Sequence, residues 1–262
     1  MNSTKTTVAP ALRALLDRII DYAGIYPPAS LPLATAIINY DNYKNSDFAW
    51  MLRWLVVGSS ELENVPANLD GQLSVLGESH NLRAAAIETK SVIEATTPTY
   101  CEVGVSELAQ LDRVQQSGCF AKIRAGSVKP EGIPSCSEVA AFIKACAAKR
   151  LTFKATAGLH HPIRAEYALT YAADAPRATM HGFLNVLMAS AFAWRGDADI
   201  DIEAVIDETD ISAFRFDDRA HWRKHSLSIA ELEAARADFV HSIGSCSFEE
   251  PVEELQAHGF FK

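Results

Sequence analysis

The chain has 262 residues, of which 48% are hydrophobic and 22% are charged, and its formal net charge is −9. This composition predicts a soluble globular protein with one large domain or two small ones. The acidic balance and the scattered basic residues argue against nucleic acid and anionic membranes as main partners.

The start of the chain and its cysteines both favour a cytoplasmic protein. The opening stretch MNSTKTTVAPALRALL lacks the long apolar core of a signal peptide, and no apolar run approaches the about 20 residues that span a bilayer. The five cysteines are dispersed, odd in number and mostly set in apolar runs, which is typical of reduced core thiols.

The first half of the chain alternates between helical and extended patterns. Apolar spacing and helix-start signals predict helices at Leu12–Ile20, Ser30–Tyr43 and Ser106–Gln116. Short apolar or alternating runs predict strands at Met51–Val57, Gln72–Leu76 and Thr99–Val105, with weaker strands near Tyr22 and Ile87.

The second half continues the alternation and ends in a more acidic tail. Strands are predicted at Cys119–Arg124, Leu151–Thr156 and Ala178–Gly182. Helices are predicted at Ser135–Lys149, Arg164–Ala173, Phe183–Trp194, Ile202–Glu208, Ser228–Ile243 and Pro251–Ala257.

Apolar strands that alternate with helices indicate a parallel sheet covered on both faces. About eight strands favour a closed (β/α)8 TIM-type barrel over residues 1–196, with residues 197–262 forming extra C-terminal helices packed on it. Neither GxGxxG nor GxxxxGK[ST] occurs in the chain, which argues against an open nucleotide-binding sheet, and we expect no cofactor.

Two consecutive predicted strands each carry one lysine inside an apolar run, in CFAKIRAG and LTFKATAG. A buried ammonium group is costly unless it is paired or neutralised, so Lys122 and Lys154 together indicate a site. A second cation nearby lowers the pKa of a lysine, and a neutral lysine can attack a carbonyl to form a Schiff base. The structural alternative is an ion pair between Glu102 and Lys122 inside the barrel.

In β/α barrels the chemistry takes place at the carboxyl-terminal ends of the strands. The polar residues at or just past predicted strand ends are Glu88, Glu102, Lys122, Arg124, Lys154, His160, His161 and His181. Among them Glu102 is the candidate that moves protons, and Arg124 is a candidate contact for an anionic group.

The stretch from Phe120 to Trp194 resembles the second half of deoxyribose-phosphate aldolase, a Schiff-base aldolase on a β/α barrel. The resemblance rests on AKIRAG, FKATAGLHHPIR and MHGFLNVLMASAFAW at similar spacings. It implies that Lys122 is the Schiff-base lysine, that Lys154 lowers its pKa, and that Gly182 forms a phosphate-binding turn at a helix N-terminus. The chain departs from the family pattern at Arg124, where the family has a small hydroxyl residue.

Three functions follow from these residues. The first is a Schiff-base lyase or aldolase-like enzyme acting on a small anionic carbonyl compound, with Glu102 as acid and base. The second is a metal-assisted hydrolase or lyase in which His160 or His161 joins His181 and either Glu88 or Glu102. The third is a non-catalytic barrel that binds an anion through its lysines. The sequence leaves open whether the chain forms a homo-oligomer.

Overall fold

The computed structural model describes residues 7–77, 83–95 and 97–261. In chain order the strands are β1 (Ile20–Tyr22), β2 (Leu52–Gly58), β3 (Leu73–Leu76), β4 (Ala84–Thr89), β5 (Thr99–Glu102), β6 (Phe120–Arg124), β7 (Phe153–Thr156), β8 (Ala165–Ala168), β9 (Arg177–Met180), β10 (Phe214–Phe216), β11 (Arg219–Trp222), β12 (His225–Ser228) and β13 (Val240–Ser245). The helices are α1 (Pro10–Leu16), α2 (Leu33–Lys44), α3 (Leu111–Gln116), α4 (Cys136–Ala148), α5 (Phe183–Arg195), α6 (Ile202–Asp207), α7 (Ile229–Asp238) and α8 (Glu249–Ala257).

Eight parallel strands close into a barrel in the order β1-β13-β7-β6-β5-β4-β3-β2. The predicted α/β barrel is therefore confirmed, and both weakly signalled strands, near Tyr22 and Ile87, belong to it. Both are short or rich in alanine, so their own sequences indicate a strand only weakly. Hydrogen bonds from two neighbours complete each of them, as for β1 between β13 and β2.

The barrel extends beyond residue 196, contrary to the predicted boundary, because its closing strand is β13. The sequence predicted one helix over Ser228–Ile243, but α7 ends at Asp238 and Phe239 leaves the helical region with φ −131° and ψ −70°. The backbone then pairs in parallel with both β1 and β7. Apolar Val240 and Ile243 fit a helix face as well as a strand, so only the pairing decides between them. Residues 197–262 thus contribute one strand of the barrel, β13.

A second correction concerns the segment between β7 and α5. The predicted helix at Arg164–Ala173 contains β8, and the strand predicted at Ala178–Gly182 overlaps β9. The two strands form an antiparallel hairpin outside the barrel, with Ala165 paired to Met180. In the tail, β10, β11 and β12 form a separate three-stranded antiparallel sheet. Across the described ranges, the structure has no helix with both the length and the apolar character to cross a membrane.

Two predicted helix starts are confirmed, whereas α2 begins at Leu33 rather than Ser30, α3 begins at Leu111 rather than Ser106, and the helix predicted over Leu12–Ile20 ends at Leu16 before β1. Ser135 and Glu138 form a capping box that opens α4, and Ser228 and Glu231 form another that opens α7. The helix α5 is buried along nearly its whole length, since α4, α6 and α7 contact it. All five cysteines are buried and carry free thiols.

The barrel interior contains polar side chains where branched aliphatic residues are usual. Alternate strands β1, β3, β5 and β7 contribute one layer at the level of Lys154, which comprises Asp21, Ser74, Tyr100 and Lys154. The Lys154 ammonium lies 5.4 Å from the centre of the Tyr100 ring and 2.5 Å from Asp21 Oδ2. Nearer the carboxyl-terminal end, β4 and β6 contribute Glu88 and Lys122. These two layers position the site described next.

Candidate functional site

A chain of buried ion pairs forms the floor of the barrel mouth. Lys154 donates from Nζ to Asp21 Oδ2 at 2.5 Å and to Glu88 Oε1 at 2.6 Å. The other Glu88 oxygen, Oε2, lies 3.4 Å from Lys122 Nζ, and Lys122 Nζ lies 3.0 Å from Glu102 Oε2. Charge therefore alternates along five side chains, from Asp21 to Glu102.

Strand register explains why these groups meet. Glu102 on β5 is the direct partner of Lys122 on β6, and Lys122 is the direct partner of Lys154 on β7. Neighbouring strands lie about 4.8 Å apart, so side chains in register on one face come within contact range. The two lysines thus lie on adjacent strands, as the sequence predicts.

The predicted role of Lys154 requires a correction. Its side chain is fully buried, and burial alone lowers the pKa of an ammonium group, but the charges of Asp21 and Glu88 outweigh this effect and raise the pKa of Lys154 above its ordinary value. Two carboxylates therefore compensate its charge. Lys154 is therefore not the unpaired second cation that the sequence analysis expected beside Lys122.

Glu88 bridges the two lysines and stays ionised. Burial raises its pKa, but the charges of Lys154 and Lys122 and a hydrogen bond from Ser74 Oγ at 2.7 Å lower it to about 2. Glu88 is consequently a fixed carboxylate at neutral pH. It can stabilise a neighbouring cation, but it cannot supply a proton there.

Asp21 is a member of the site that the sequence analysis did not identify. Its Oδ2 accepts a second hydrogen bond from Ser242 Oγ at 2.6 Å, and Ser242 Oγ accepts one from Arg53 Nη1 at 2.9 Å. Within the described chain, Asp21 Oδ1 is buried without a hydrogen-bond partner. An acid inside the apolar run IIDY was the available signal, since a buried carboxylate needs a cation.

Above the ion pairs lies a cavity of about 230 Å³ at the carboxyl-terminal end of the barrel. Lys122 and Glu88 line it, whereas Lys154 lies beneath them and does not. Gly244 lines the cavity too, and a Cβ at this position would meet Thr156 Cγ2 at 3.1 Å. Glycine at this position therefore avoids a tight contact with Thr156 on the cavity wall.

Other polar groups lie on the cavity wall. They are Tyr26, Arg124, Ser127, Thr156 and His160. Burial raises the pKa of Tyr26 to about 12, and the charges of Glu88 and Glu61 add to the effect, so its hydroxyl is a neutral donor or acceptor.

Arg124 joins this cavity to a second cleft. The second cleft has a volume of about 280 Å³ and is also lined by Glu102 and Glu138. Arg124 is exposed, and in residues 7–77, 83–95 and 97–261 no carboxylate pairs with it. An incoming anion can therefore reach its guanidinium without breaking an ion pair.

The rings of His160 and His161 stack on each other with centres 4.5 Å apart, and each contacts a different glutamate. His160 Nδ1 lies 2.6 Å from Glu250 Oε2, and His161 Nδ1 lies 2.5 Å from Glu254 Oε1. Both glutamates are on α8, four residues apart on one helix face. His160 lines the cavity, so Nε2 is the nitrogen left to meet a ligand. His161 stacks on Tyr167 with ring centres 3.5 Å apart.

The anion site predicted at His181 and Gly182 is closed by the protein's own carbonyl groups. At the start of α5, Phe183 N donates to His161 O and Leu184 N donates to Pro162 O. His181 Nε2 contacts Pro134 O at 2.7 Å, away from the cavity. The N–H groups of the first two helical residues are therefore already occupied and are not available to a phosphate.

The alternative metal site is not assembled either. In the part of the chain that the structure describes, no group of three or more His, Cys, Asp and Glu side chains is arranged to hold a metal ion. His160 and His161 contact different glutamates, and His181 contacts a backbone carbonyl.

Comparisons of the chain with protein-family models, with curated proteins and with solved structures found no match. Its function is consequently argued from the geometry of the site.

Proposed function

We propose that this protein is a Schiff-base lyase of the aldolase type that acts on a small anionic carbonyl compound. The observation that carries the proposal is the position of Lys122: a lysine on a barrel strand at the base of a 230 Å³ cavity, with Glu102 Oε2 3.0 Å from its Nζ. A carboxylate within hydrogen-bond distance can take the proton that the ammonium must lose before it attacks.

Glu102 is the group that moves protons in this scheme. It accepts a proton from Lys122, and the neutral amine adds to the substrate carbonyl carbon to give a carbinolamine. Glu102 then returns the proton to the carbinolamine hydroxyl, which leaves as water and produces the iminium ion. Glu102, again a carboxylate, takes the proton of the substrate hydroxyl on the β-carbon, the bond between the α- and β-carbons breaks, and its electron pair passes into the iminium to give an enamine and a released carbonyl fragment. Glu102 then returns the proton to the α-carbon of the enamine, and water hydrolyses the resulting iminium and restores Lys122.

Glu88 and Lys154 have a supporting role. The iminium carries a positive charge at the Lys122 nitrogen, and the Glu88 carboxylate lies 3.4 Å from that atom in the free protein. Lys154 keeps Glu88 ionised, because its charge is the largest influence that lowers the pKa of Glu88. In this scheme Lys154 therefore acts on Lys122 through Glu88.

Arg124 and His160 define the substrate class. An unpaired guanidinium on the wall favours a carboxylate or phosphate group on the substrate. His160 Nε2 can hydrogen-bond a substrate oxygen while Glu250 holds the ring through Nδ1. A cavity of 230 Å³ is below the about 300 Å³ at which drug-sized sites begin, so the substrate is small.

The proposal is tested by measuring how fast an oxygen-18 label in a carbonyl group is lost to solvent water. Any small carbonyl compound that enters the cavity can serve as the probe. Each Schiff base that forms and hydrolyses exchanges the carbonyl oxygen with water. We expect the protein to speed this exchange for at least one member of a panel of small keto acids and aldehyde phosphates, and Lys122→Ala to abolish the effect. Lys144→Ala, a change at an exposed lysine on α4, is the matched control and should exchange at the wild-type rate. Equal exchange by Lys122→Ala and wild type would remove Lys122 from the mechanism.

A further inference from the structure

A third, separate cleft, with a basic lining, lies at the end of the barrel opposite the mouth. Its volume is about 670 Å³, and its lining comes from α1, the turn after α1, β2, α7 and β13. Four arginines line it: Arg13, Arg18, Arg53 and Arg236. None of them belongs to the site at the mouth.

Charge in this cleft is opposite in sign to that of the whole chain. The lining carboxylates are Asp17 and Glu233, so four guanidinium groups face two acids in a protein of net charge −9. Asp17 Oδ1 is engaged by Arg13 Nη2 at 3.3 Å. The lining therefore carries an excess of two positive charges over negative ones.

His241 adds polarity to the cleft but no charge. Burial lowers its pKa to about 4, and the charge of Arg53 contributes to the shift. Its Nε2 lies 3.0 Å from the Ala237 carbonyl oxygen and donates to it, while Nδ1 accepts from the Tyr100 hydroxyl at 2.7 Å. Neutral His241 thus serves as a structural wall of the cleft at pH 7.

The arginines themselves have unused donors. Arg236 donates to the backbone oxygens of Val240 and Asp17, but its Nε is buried and has no partner among the described residues. Within the same described ranges, no hydrogen bond or ion pair engages the Arg18 guanidinium, which is exposed at the cleft. Arg53 donates from Nη1 to Ser242, and its guanidinium stacks 3.7 Å from the centre of the Trp54 ring. Such donors fit anion recognition.

We propose that this cleft binds a small anion with two or more negative charges, of the phosphate or pyrophosphate class. Arg18, Arg53 and Arg236 all line the cleft, so the anion completes hydrogen bonds that the protein leaves open. The same anion relieves repulsion between Arg53 and Arg236. That repulsion, added to burial, lowers the pKa of Arg236 to about 9. The site is independent of the proposed chemistry at Lys122.

Calorimetric titration with inorganic pyrophosphate, at one fixed and moderate ionic strength, tests this site. Arg18→Gln is the informative change, because Arg18 is exposed and its side chain supports no other group. We expect affinity for pyrophosphate to fall about tenfold or more, the usual effect of losing a charge-assisted contact. Arg177→Gln, on the exposed surface of β9, is the matched control and should leave affinity unchanged.

Arg124→Ala separates this cleft from the barrel mouth. Binding that persists in Arg124→Ala and weakens in Arg18→Gln supports the assignment. Three results would overturn it: no binding of pyrophosphate to the wild type, equal affinity in Arg18→Gln and wild type, or complete loss of binding in Arg124→Ala alone.

Discussion

Replacing Lys154 with methionine should destabilise the barrel strongly at pH 7 and progressively less in acid. Lys154 is fully buried between Asp21 and Glu88, and methionine has a similar length and no charge. The substitution leaves two buried carboxylates facing each other. Asp21 then keeps its hydrogen bond from Ser242. Glu88 keeps its hydrogen bond from Ser74 and its ion pair with Lys122 at 3.4 Å.

The lowered pKa of Glu88 gives the size of the expected loss in the free energy of unfolding. A decrease from an ordinary 4.5 to about 2 corresponds to about 3 kcal/mol of stabilisation at neutral pH, and Lys154 is its main source. Breaking a buried ion pair by removing one partner costs about 3–5 kcal/mol. We therefore expect the free energy of unfolding to fall by about 3–5 kcal/mol at pH 7.

The pH dependence distinguishes this account from a simple packing defect. In the wild type, the Glu88 contribution is present above pH 4.5 and is lost as the pH falls toward about 2, because its pKa is depressed in the folded state. In Lys154→Met the main charge that lowers the pKa of Glu88 is gone, so Glu88 protonates at higher pH and its repulsion with Asp21 disappears. The stability difference between wild type and variant should consequently shrink from pH 7 to pH 5.

Urea titrations followed by far-ultraviolet circular dichroism at both pH values measure this difference. Lys149→Met is the matched control, since Lys149 pairs with Asp112 on the surface and its loss should cost under about 1 kcal/mol. The double variant Lys154→Met with Asp21→Asn should recover part of the loss. A Lys154→Met protein as stable as wild type, or one whose deficit grows in acid, would refute the reasoning.

Three further predictions concern the mouth of the barrel. Glu102→Gln should lower the rate of carbonyl oxygen-18 exchange about 10²–10⁴-fold, because the amide cannot accept the Lys122 proton. An unchanged rate would mean that a group other than Glu102 transfers the proton. Arg124→Ala should raise KM for anionic substrates about tenfold or more while kcat changes less, and steady-state kinetics with a neutral substrate analogue should show no such increase. Gly126→Ala should destabilise the protein by about 1–3 kcal/mol in thermal unfolding, because the new Cβ would lie 2.8 Å from Gly158 Cα. Gly118→Ala is the control, since its Cβ meets no atom within 4 Å and the substitution adds only backbone strain.

The sequence predicts the barrel and its two lysines because those features depend on local patterns. Alternation of apolar strands with helices identifies the fold class, and the similar sequences around Lys122 and Lys154 indicate equivalent places on neighbouring strands. The register that pairs Lys122 with Lys154 agrees with this expectation.

Features that depend on partners distant in the chain are not visible in the sequence. The residues that form β13 fit a helix face, and only pairing with β1 and β7 makes them a strand. Asp21 lies 133 positions from Lys154, so no local pattern connects the carboxylate with the ammonium that it neutralises. The sequence therefore did not show that carboxylates compensate the charge of Lys154. Glu250 and Glu254 on α8 likewise reach His160 and His161 only through the closed barrel.

Borohydride trapping with mass mapping of the adduct tests the central claim most directly. The protein is incubated with small keto acids and aldehyde phosphates, reduced, digested and analysed peptide by peptide. A Schiff base at Lys122 predicts a secondary-amine adduct on the peptide that contains Lys122, its absence in Lys122→Ala, and no adduct at buried Lys154. An adduct that maps to another lysine, or one that persists in Lys122→Ala, would contradict the proposed function.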